Sequence, residues 1–293
     1  MAITVGTGPD SWGVWFPSDP KQPPWEQYLD EAAAAGYEWT ELGPIGYLPT
    51  DTGVLQAELE KRSLKLCGGF IMHHLEDEGT AEVVLKDIDH VSGPFNQLGA
   101  RFVVLIDDAY TNLQTGELER PRELDDAAWA RLIETANRAQ ERAASYGLQV
   151  VYHPHADTHV ENHRQMERFL ADADSSVMLC LDTGHDAYTG GDPIAFFEKH
   201  HERIPYLHLK SIRGDLRAQV LRDGTPFATA VGQGMFCEPS EGEVDFERLR
   251  DVAHRIGYDG FGVVEQDMYP PAPGAPFPIA KRTREYLRDI GLG

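Results

Sequence analysis

One local pattern occurs four times along the chain: a helical segment, a glycine and then a short apolar strand. The four glycines are Gly36, Gly99, Gly147 and Gly257. Glycine directly after a helix adopts the left-handed conformation that ends the helix. Because each unit leads from a helix straight into a strand, we expect parallel strands joined by crossover helices.

The apolar segments and the gaps between them predict eight strands and eight helices. The strands are expected over 3–8, 38–42, 64–70, 102–107, 148–153, 177–182, 204–210 and 261–265. The helices are expected over 24–35, 52–62, 80–98, 124–146, 161–173, 192–201, 245–256 and 278–289. Eight such units in 293 residues predict a closed (β/α)8 TIM barrel. The alternative is an open doubly wound sheet, but Gly6-Thr7-Gly8-Pro9 lacks the rest of a dinucleotide fingerprint.

No shift in composition marks a domain boundary, so a single domain is expected over 1–293. The segment 211–244, between the seventh strand and its helix, is predicted to be an insertion in a βα loop. Such loops lie on the catalytic face of a barrel, and we therefore expect this one to act as a lid.

Composition excludes several classes of partner. The net charge of −22 at pH 7 would repel phosphate backbones, which argues against a nucleic-acid ligand. The three cysteines are far apart and form no CxxC pair, so no disulfide framework is expected. Neither a signal peptide nor an apolar run of about 18 residues is present, which predicts a cytoplasmic protein without a membrane span.

Four predicted strands in the C-terminal half end on a side chain that can bind a metal. These are His153, Asp182, His208 and Glu265. Since the carboxyl ends of barrel strands share one face, the four side chains are expected to converge. Two imidazoles and two carboxylates suit a divalent ion, with Mn²⁺ first and Co²⁺, Mg²⁺, Fe²⁺ or Zn²⁺ as alternatives. Glu161 competes with His153 as the fourth ligand, and any single member could be an ordinary polar residue at a strand end.

Several neighbours of these residues are candidates for acid–base chemistry. Alternation along the strand turns His155 inward beside His153, as a general acid or base or as a hydrogen-bond partner of a ligand. Gly184 is expected to allow a tight turn that brings His185 over the site. Lys210 is expected to stabilise an oxyanion or to act as a base with a lowered pKa, and Glu265 is a further candidate base. By contrast, His159 and His163 are expected on the following helix, exposed to solvent.

Four other residues are candidates for substrate binding. Trp12 could stack on a sugar ring or plug the barrel rim, and Glu41 ends the second strand. Arg213 in the long insertion could clamp a substrate, and Glu161 could reach it from the start of a helix.

These motifs resemble the xylose-isomerase-like TIM barrels, and the resemblance covers the whole chain. It is carried by Trp39-Thr40-Glu41-Leu42-Gly43, His153-Pro154-His155, Leu181-Asp182-Thr183-Gly184-His185, His208-Leu209-Lys210, Gly242-Glu243-Val244-Asp245-Phe246 and Val264-Glu265. The resemblance implies a metal site that includes Asp182, His208 and Glu265. Ketose epimerases of this family usually have a glutamate where this chain has His153. The histidine, together with the opening Gly8-Pro9-Asp10-Ser11-Trp12-Gly13, is more similar to the inosose dehydratase branch.

The resemblance and the site residues together predict a metal-dependent lyase for a keto-polyol or keto-sugar. The substrate would be an inosose, a 3-keto-glycoside or an anhydrosugar, from which an α-proton and then a β-hydroxyl are removed. One alternative is a ketose isomerase or 3-epimerase that reprotonates an enediolate. Another is a barrel without catalysis that serves as an accessory subunit. The expected partner is a small molecule, and the sequence allows for a homodimer.

Overall fold

A computed structural model describes residues 3–112 and 115–293. Eight of the strands in these ranges are parallel and close into a barrel. They are β1 (Thr4–Thr7), β2 (Trp39–Glu41), β3 (Lys65–His73), β4 (Phe102–Asp107), β5 (Gln149–His153), β6 (Met178–Asp182), β7 (Tyr206–Leu209) and β10 (Phe261–Val264). They are hydrogen-bonded in the order β1-β10-β7-β6-β5-β4-β3-β2, and β1 pairs with both β10 and β2. The predicted TIM barrel is therefore confirmed, and the open sheet is wrong.

Eight helices lie within two residues of the predicted bounds. They are α1 (Trp25–Ala34), α2 (Thr52–Glu60), α3 (Thr80–Leu98), α4 (Asp126–Ser145), α5 (His163–Asp172), α7 (Pro193–His200), α10 (Phe246–Ile256) and α11 (Pro276–Asp289). The four glycines that ended predicted helices all have positive φ, from 67° at Gly257 to 93° at Gly36. The left-handed helix ends are thus as predicted.

Three further α-helices of the described residues were not predicted from the sequence: α6 (Thr183–Thr189), α8 (Gly214–Asp223) and α9 (Phe227–Gly232). The last two belong to the segment 211–244, together with an antiparallel pair of short strands, β8 (Ser211–Ile212) and β9 (Phe236–Cys237). This segment places Phe227 against His155 and His185, with ring centroids 5.5 and 5.7 Å apart. The segment therefore contributes directly to the mouth of the barrel.

Aromatic side chains fill the barrel interior below the strand ends. Phe102 contacts Tyr206 and Phe261, with ring centroids 5.0 and 5.8 Å apart, and Trp39 packs edge-on against Phe261 at 5.1 Å. Tyr206 is fully buried, and its hydroxyl donates to Glu41 over 2.7 Å. The apolar layer thus ends at the first buried carboxylate.

None of the helices in the described part of the chain is long and apolar enough to cross a membrane.

Close contact between strands β3 and β4 requires a glycine. A Cβ atom on Gly68 would lie 2.7 Å from the backbone oxygen of Phe102, which cannot move without breaking the sheet. We expect Gly68→Ala to lower the free energy of unfolding by about 1–3 kcal/mol, the usual range for an overpacked interior. Urea denaturation measures this change.

The matched control is Gly93→Ala in the middle of α3, where an added Cβ has open space. There the substitution is expected to stabilise the protein by about 0.5–1 kcal/mol, because alanine is the better helix former. Equal effects of the two substitutions would contradict the packing argument.

Candidate metal centre

The four predicted ligand residues lie together at the carboxyl ends of their strands. His153 and Asp182 end β5 and β6, His208 lies in β7, and Glu265 directly follows β10. All four are buried, and one potential ligand atom of each lies within 4.8 Å of the others. The register of the sheet explains the convergence, since His208 pairs with Asp182 on one side and Val263 on the other.

The donor atoms of this group fit a divalent cation. His208 Nδ1 lies 3.2 Å from Glu265 Oε2 and 3.6 Å from Asp182 Oδ2. His153 Nε2 lies 3.6 Å from the same Asp182 oxygen. Among the described residues, His208 Nδ1 is buried without a hydrogen-bond partner, and Asp182 Oδ2 is buried with the Lys210 ammonium 3.1 Å away. Buried polar atoms are normally paired, so nitrogen and oxygen donors arranged in this way suit a metal ion such as Mn²⁺, Fe²⁺, Co²⁺ or Zn²⁺.

Glu41 orients one of these imidazoles. Its Oε1 accepts hydrogen bonds from His208 Nε2 at 3.1 Å and from the Tyr206 hydroxyl at 2.7 Å. A proton held on Nε2 leaves the lone pair of His208 on Nδ1, the atom that faces the other ligands. Glu41 was predicted to bind substrate, but it lies beneath His208 and does not line the central pocket. Its predicted contact with a substrate stays a prediction.

Asp182 has two separate structural tasks. Its Oδ1 caps α6 by accepting from the backbone N–H groups of Gly184 and His185, both at 2.8 Å, while Oδ2 faces the other ligands. Burial alone would raise the pKa of Asp182, but the neighbouring Lys210 and His185 bring it well below the ordinary value.

Gly184 is helical and forms no tight turn, contrary to the prediction. It is needed because a Cβ there would lie 2.6 Å from Lys210 Cγ.

Lys210 is buried among three carboxylates. Its Nζ lies 3.0 Å from Glu265 Oε2, 3.1 Å from Asp182 Oδ2 and 3.1 Å from Asp267 Oδ2. Burial by itself would lower the pKa of Lys210, but Asp182, Asp267 and Glu265 raise it well above its usual value. The predicted role as a base with a lowered pKa is therefore wrong, and Lys210 is an ammonium. That ammonium also lies 3.1 Å from His185 Nε2, which accepts its hydrogen bond.

His155 turns inward as predicted and stacks on His185, with ring centroids 3.7 Å apart. Its Nδ1 lies 2.7 Å from the carbonyl oxygen of Ala156, which can only accept a hydrogen bond. The proton of a neutral His155 is therefore on Nδ1, and Nε2 has a free lone pair. Burial, followed by the neighbouring His153, lowers the pKa of His155 to about 3, so the ring is neutral.

A pocket of about 150 Å³ lies above these groups. Its apolar wall includes Trp15, Phe16, Phe70, Met72, Ile106 and Phe227, and its polar lining includes Asp10, Asp107, His153, His155, His208, Lys210, Glu265 and Asp267. Sequence reasoning missed Asp267 and Asp107 as site residues. Asp267 lies two residues after Glu265, where alternation would have placed it on the same side. Asp107 ends β4 in the same manner as the four predicted ligands.

Three other candidates for substrate binding lie outside this pocket. Trp12 is fully buried, and its Nε1 donates to Glu31 over 2.7 Å, so the rim-plug alternative is the one observed. Glu161 accepts from the Tyr110 hydroxyl and the Asp157 backbone, and it is not part of the four-residue group. Arg213 is about half exposed, with its guanidinium 4.0 Å from Glu241. None of the three side chains lines the central pocket, and their predicted contacts with a substrate stay predictions.

Of the two histidines expected on an exposed helix, His159 is placed differently, and His163 lies on the helix but is partly buried. His159 precedes α5 and is buried, with Nδ1 2.7 Å from Asp107 Oδ2. His163 is the first residue of α5, and its Nε2 lies 2.9 Å from Asp186 Oδ2. The helix begins later than predicted because Asn162 and Gln165 form a capping box.

A parallel barrel with potential metal ligands at the ends of its last four strands defines a known class. A sequence profile of xylose isomerase-like TIM barrels matches residues 29–290, and the chain belongs to that family.

Within this class, the chain is 30% identical over 292 residues to an inosose dehydratase of Lacticaseibacillus casei, covering 98% of this chain and 97% of that protein. Two solved structures share the fold at low identity. The probable 3-DHS dehydratase AsbF of Bacillus anthracis has a TM-score of 0.75 and 14% identity, with 98% of this chain and 99% of that chain covered. The IolI protein with a bound zinc atom has a TM-score of 0.72 and 15% identity, with 98% of each chain covered.

The dual task of Asp182 leads to a test of metal binding. Asparagine is an equally good helix cap, so Asp182→Asn should preserve α6 while removing a charged ligand. We expect added Mn²⁺ to raise the melting temperature of the unchanged protein, because binding at a hundredfold excess over Kd stabilises the folded state by about 2.7 kcal/mol. The melting temperature of the variant should change little. Differential scanning calorimetry measures both.

The control is Asp192→Asn, which replaces the cap of α7 far from the ligand group. It should respond to Mn²⁺ as the unchanged protein does. If Asp182→Asn were stabilised to the same extent, the ligand assignment would be wrong.

The ion pair between His163 and Asp186 predicts a pH-dependent stability. The hydrogen bond to Asp186 raises the pKa of His163. Its stabilising contribution is therefore complete below the unfolded pKa of about 6.5 and is lost as pH rises through the folded value. Because the imidazole is about one third exposed, we expect His163→Gln to cost about 0.5 kcal/mol more at pH 5.5 than at pH 8.5.

Urea denaturation at the two pH values measures this difference. The control is His254→Gln, at an exposed position, which should change the free energy of unfolding by the same small amount at both pH values. A loss from His163→Gln that does not vary with pH would contradict the charged pair.

Proposed function

We propose that this protein is a metal-dependent dehydratase that acts on a keto-polyol or keto-sugar, with an inosose as the first choice of substrate. One observation carries the proposal: the imidazole of His155 and the side-chain amine of Lys210 line the same pocket as His153, His208 and Glu265. Removal of an α-proton and loss of a β-hydroxyl require such an acid–base pair. The inosose dehydratase relatives support the same reaction.

His153, Asp182, His208 and Glu265 would hold the metal, and Glu41 would fix the tautomer of His208. When bound, a divalent ion polarises the ketone and stabilises negative charge on its oxygen. Two carboxylates with two imidazoles suit Mn²⁺ first, with Co²⁺, Fe²⁺, Zn²⁺ or Mg²⁺ as alternatives. His153 takes the place of the epimerases' glutamate and so leaves one negative charge fewer on the ion.

His155 is the proposed base. The carbonyl of Ala156 holds the hydrogen of Nδ1, so Nε2 can take the α-proton of a substrate in the pocket. The packing of His155 between His185 and Phe227 limits rotation of the ring. A fixed ring keeps that lone pair in one direction, which is the main requirement for proton abstraction in a defined stereochemical sense.

Lys210 is the proposed acid and oxyanion partner. Its ammonium is positioned by Asp267 and His185, and it can donate to the β-hydroxyl as that group leaves as water. His185 is then a positioning residue, because it contacts Lys210 and does not line the pocket. Asp267 accepts from the ammonium over 3.1 Å and helps to keep it protonated until the leaving group departs.

The folded insertion of residues 211–244 would act as the lid over this pocket. Its Phe227 is 5% exposed and forms part of the pocket wall. Together with Trp15 and Phe16 it provides an apolar surface opposite the charged groups. Excluding water from this side strengthens the electrostatic interactions on which the proposed reaction depends.

The direct test is to incubate the protein with 2-keto-myo-inositol and Mn²⁺ and to follow the enone-type product by ultraviolet absorbance. We expect turnover with Mn²⁺ and none with a chelator. Glu265→Gln should reduce kcat by at least about a hundredfold because it removes a charge from the metal group and from Lys210. Glu247→Gln, an exposed change in α10, is the matched control and should be fully active.

Two other outcomes correspond to the competing functions. Inversion of ketohexoses without elimination would replace the dehydratase proposal by an epimerase. Absence of both turnover and metal binding would favour an accessory barrel without catalysis.

A further inference from the structure

A second group of potential metal ligands lies outside the four-residue centre. It consists of Glu76 in the loop after β3, Asp107 at the end of β4 and His159 in the loop after β5. All three are buried, and one ligand atom of each lies within 4.8 Å of the others. The proposed dehydration does not use this cluster.

The hydrogen bonds of His159 leave a lone pair directed at two carboxylates. Its Nε2 lies 3.0 Å from the carbonyl oxygen of Pro121, which can only accept, so Nε2 carries hydrogen. In the neutral ring Nδ1 is then an acceptor. Yet Nδ1 lies 2.7 Å from Asp107 Oδ2 and 3.9 Å from Glu76 Oε2. Three acceptor atoms that face one another require a cation between them, either a proton or a metal ion.

Glu76 provides the independent sign of a ligand. Its side chain is only 6% exposed, and its Oε2 has no hydrogen-bond partner among the described residues. Its other oxygen accepts from Arg120 Nη1 over 3.0 Å. Burial and then the charge of Asp107 raise the pKa of Glu76 to about 7. Burial would lower the pKa of His159, but the hydrogen bond to Asp107 brings it above the ordinary value, so the two carboxylates favour a positive charge at this position.

The ligand atoms are held in place by groups behind them. The backbone N–H of Leu75 donates to Asp107 Oδ1 over 3.0 Å, which leaves Oδ2 for the cluster. Arg131 Nε donates to the carbonyl of Glu76 over 2.6 Å and fixes the loop that carries it. Supporting bonds of this kind are typical of built metal sites.

We propose that His159 Nδ1, Asp107 Oδ2 and Glu76 Oε2 bind a second divalent transition-metal ion, of the zinc class. Metal–ligand bonds of about 2.0–2.2 Å place neighbouring tetrahedral ligands about 3.3 Å apart. The observed separations of 2.7 and 3.9 Å lie on either side of that value, so only small shifts are needed. The ion would connect the segments that follow β3, β4 and β5. Because Asp107 also lines the central pocket, the ion would stiffen one wall of that pocket.

The test measures zinc alone, by equilibrium dialysis against buffered Zn²⁺ followed by atomic emission. Compared with the unchanged protein, Glu76→Gln and His159→Gln should each bind about one equivalent less. His163→Gln, which removes a nearby histidine outside the cluster, is the matched control and should bind the same amount as the unchanged protein. The difference in zinc content between the unchanged protein and the cluster variants does not depend on what the central group binds. This test is therefore independent of the dehydratase proposal.

Equal zinc content in the unchanged protein and the two cluster variants would overturn the proposal and assign the space to a shared proton. Circular dichroism verifies that the variants are folded. If neither folds, Asp182→Asn provides a second measurement, since it weakens the central group and leaves this cluster intact. That variant should retain about one equivalent of zinc, and absence of bound zinc in it would also overturn the proposal.

Discussion

The arrangement of the central site depends on the balance of buried charge around Lys210. An isolated ammonium would not remain charged in such an interior, and three carboxylates from two strand ends keep it protonated. Asp10 lies close to these carboxylates, and burial followed by the charges of Glu265 and Asp267 raises its pKa well above the usual value. The barrel therefore concentrates acidic groups at one end, and a divalent ion held by His153, Asp182, His208 and Glu265 would compensate them.

Asp182 illustrates how one residue serves the fold and the site together. One carboxylate oxygen starts α6 directly at the end of β6, and the other faces the ligand group and the Lys210 ammonium. The helix in turn places His185 against Lys210 and His155. This packing requires a glycine at position 184, because a larger residue there would displace the aliphatic part of the Lys210 side chain. A substitution at any of these positions should therefore alter the local structure and the chemistry at once.

The family assignment and the local geometry support each other at different levels. The profile match shows the family, and the shared fold accounts for the barrel. They do not distinguish elimination from epimerisation, since dehydratases and epimerases both occur among the structures with this fold. What favours elimination here is local: a neutral imidazole and an ammonium on the same pocket wall, and His153 in place of a glutamate.

The sequence alone determined the barrel, because the helix–Gly–strand units leave few other ways to pair parallel strands. It also determined which strand ends converge, since His153, Asp182, His208 and Glu265 are fixed to the sheet by its register. The loops were not determined in this way. Glu161, Arg213 and Trp12 were predicted as candidates for substrate binding, but their side chains lie outside the central pocket. His159 was expected in solvent but is buried against Asp107. Likewise, only the tertiary structure decided that Lys210 is an ammonium, because its charge depends on Asp267 and Glu265 from another strand end. Periodicity reports which face of a strand is buried, whereas loop paths and protonation states depend on contacts between residues far apart in the chain.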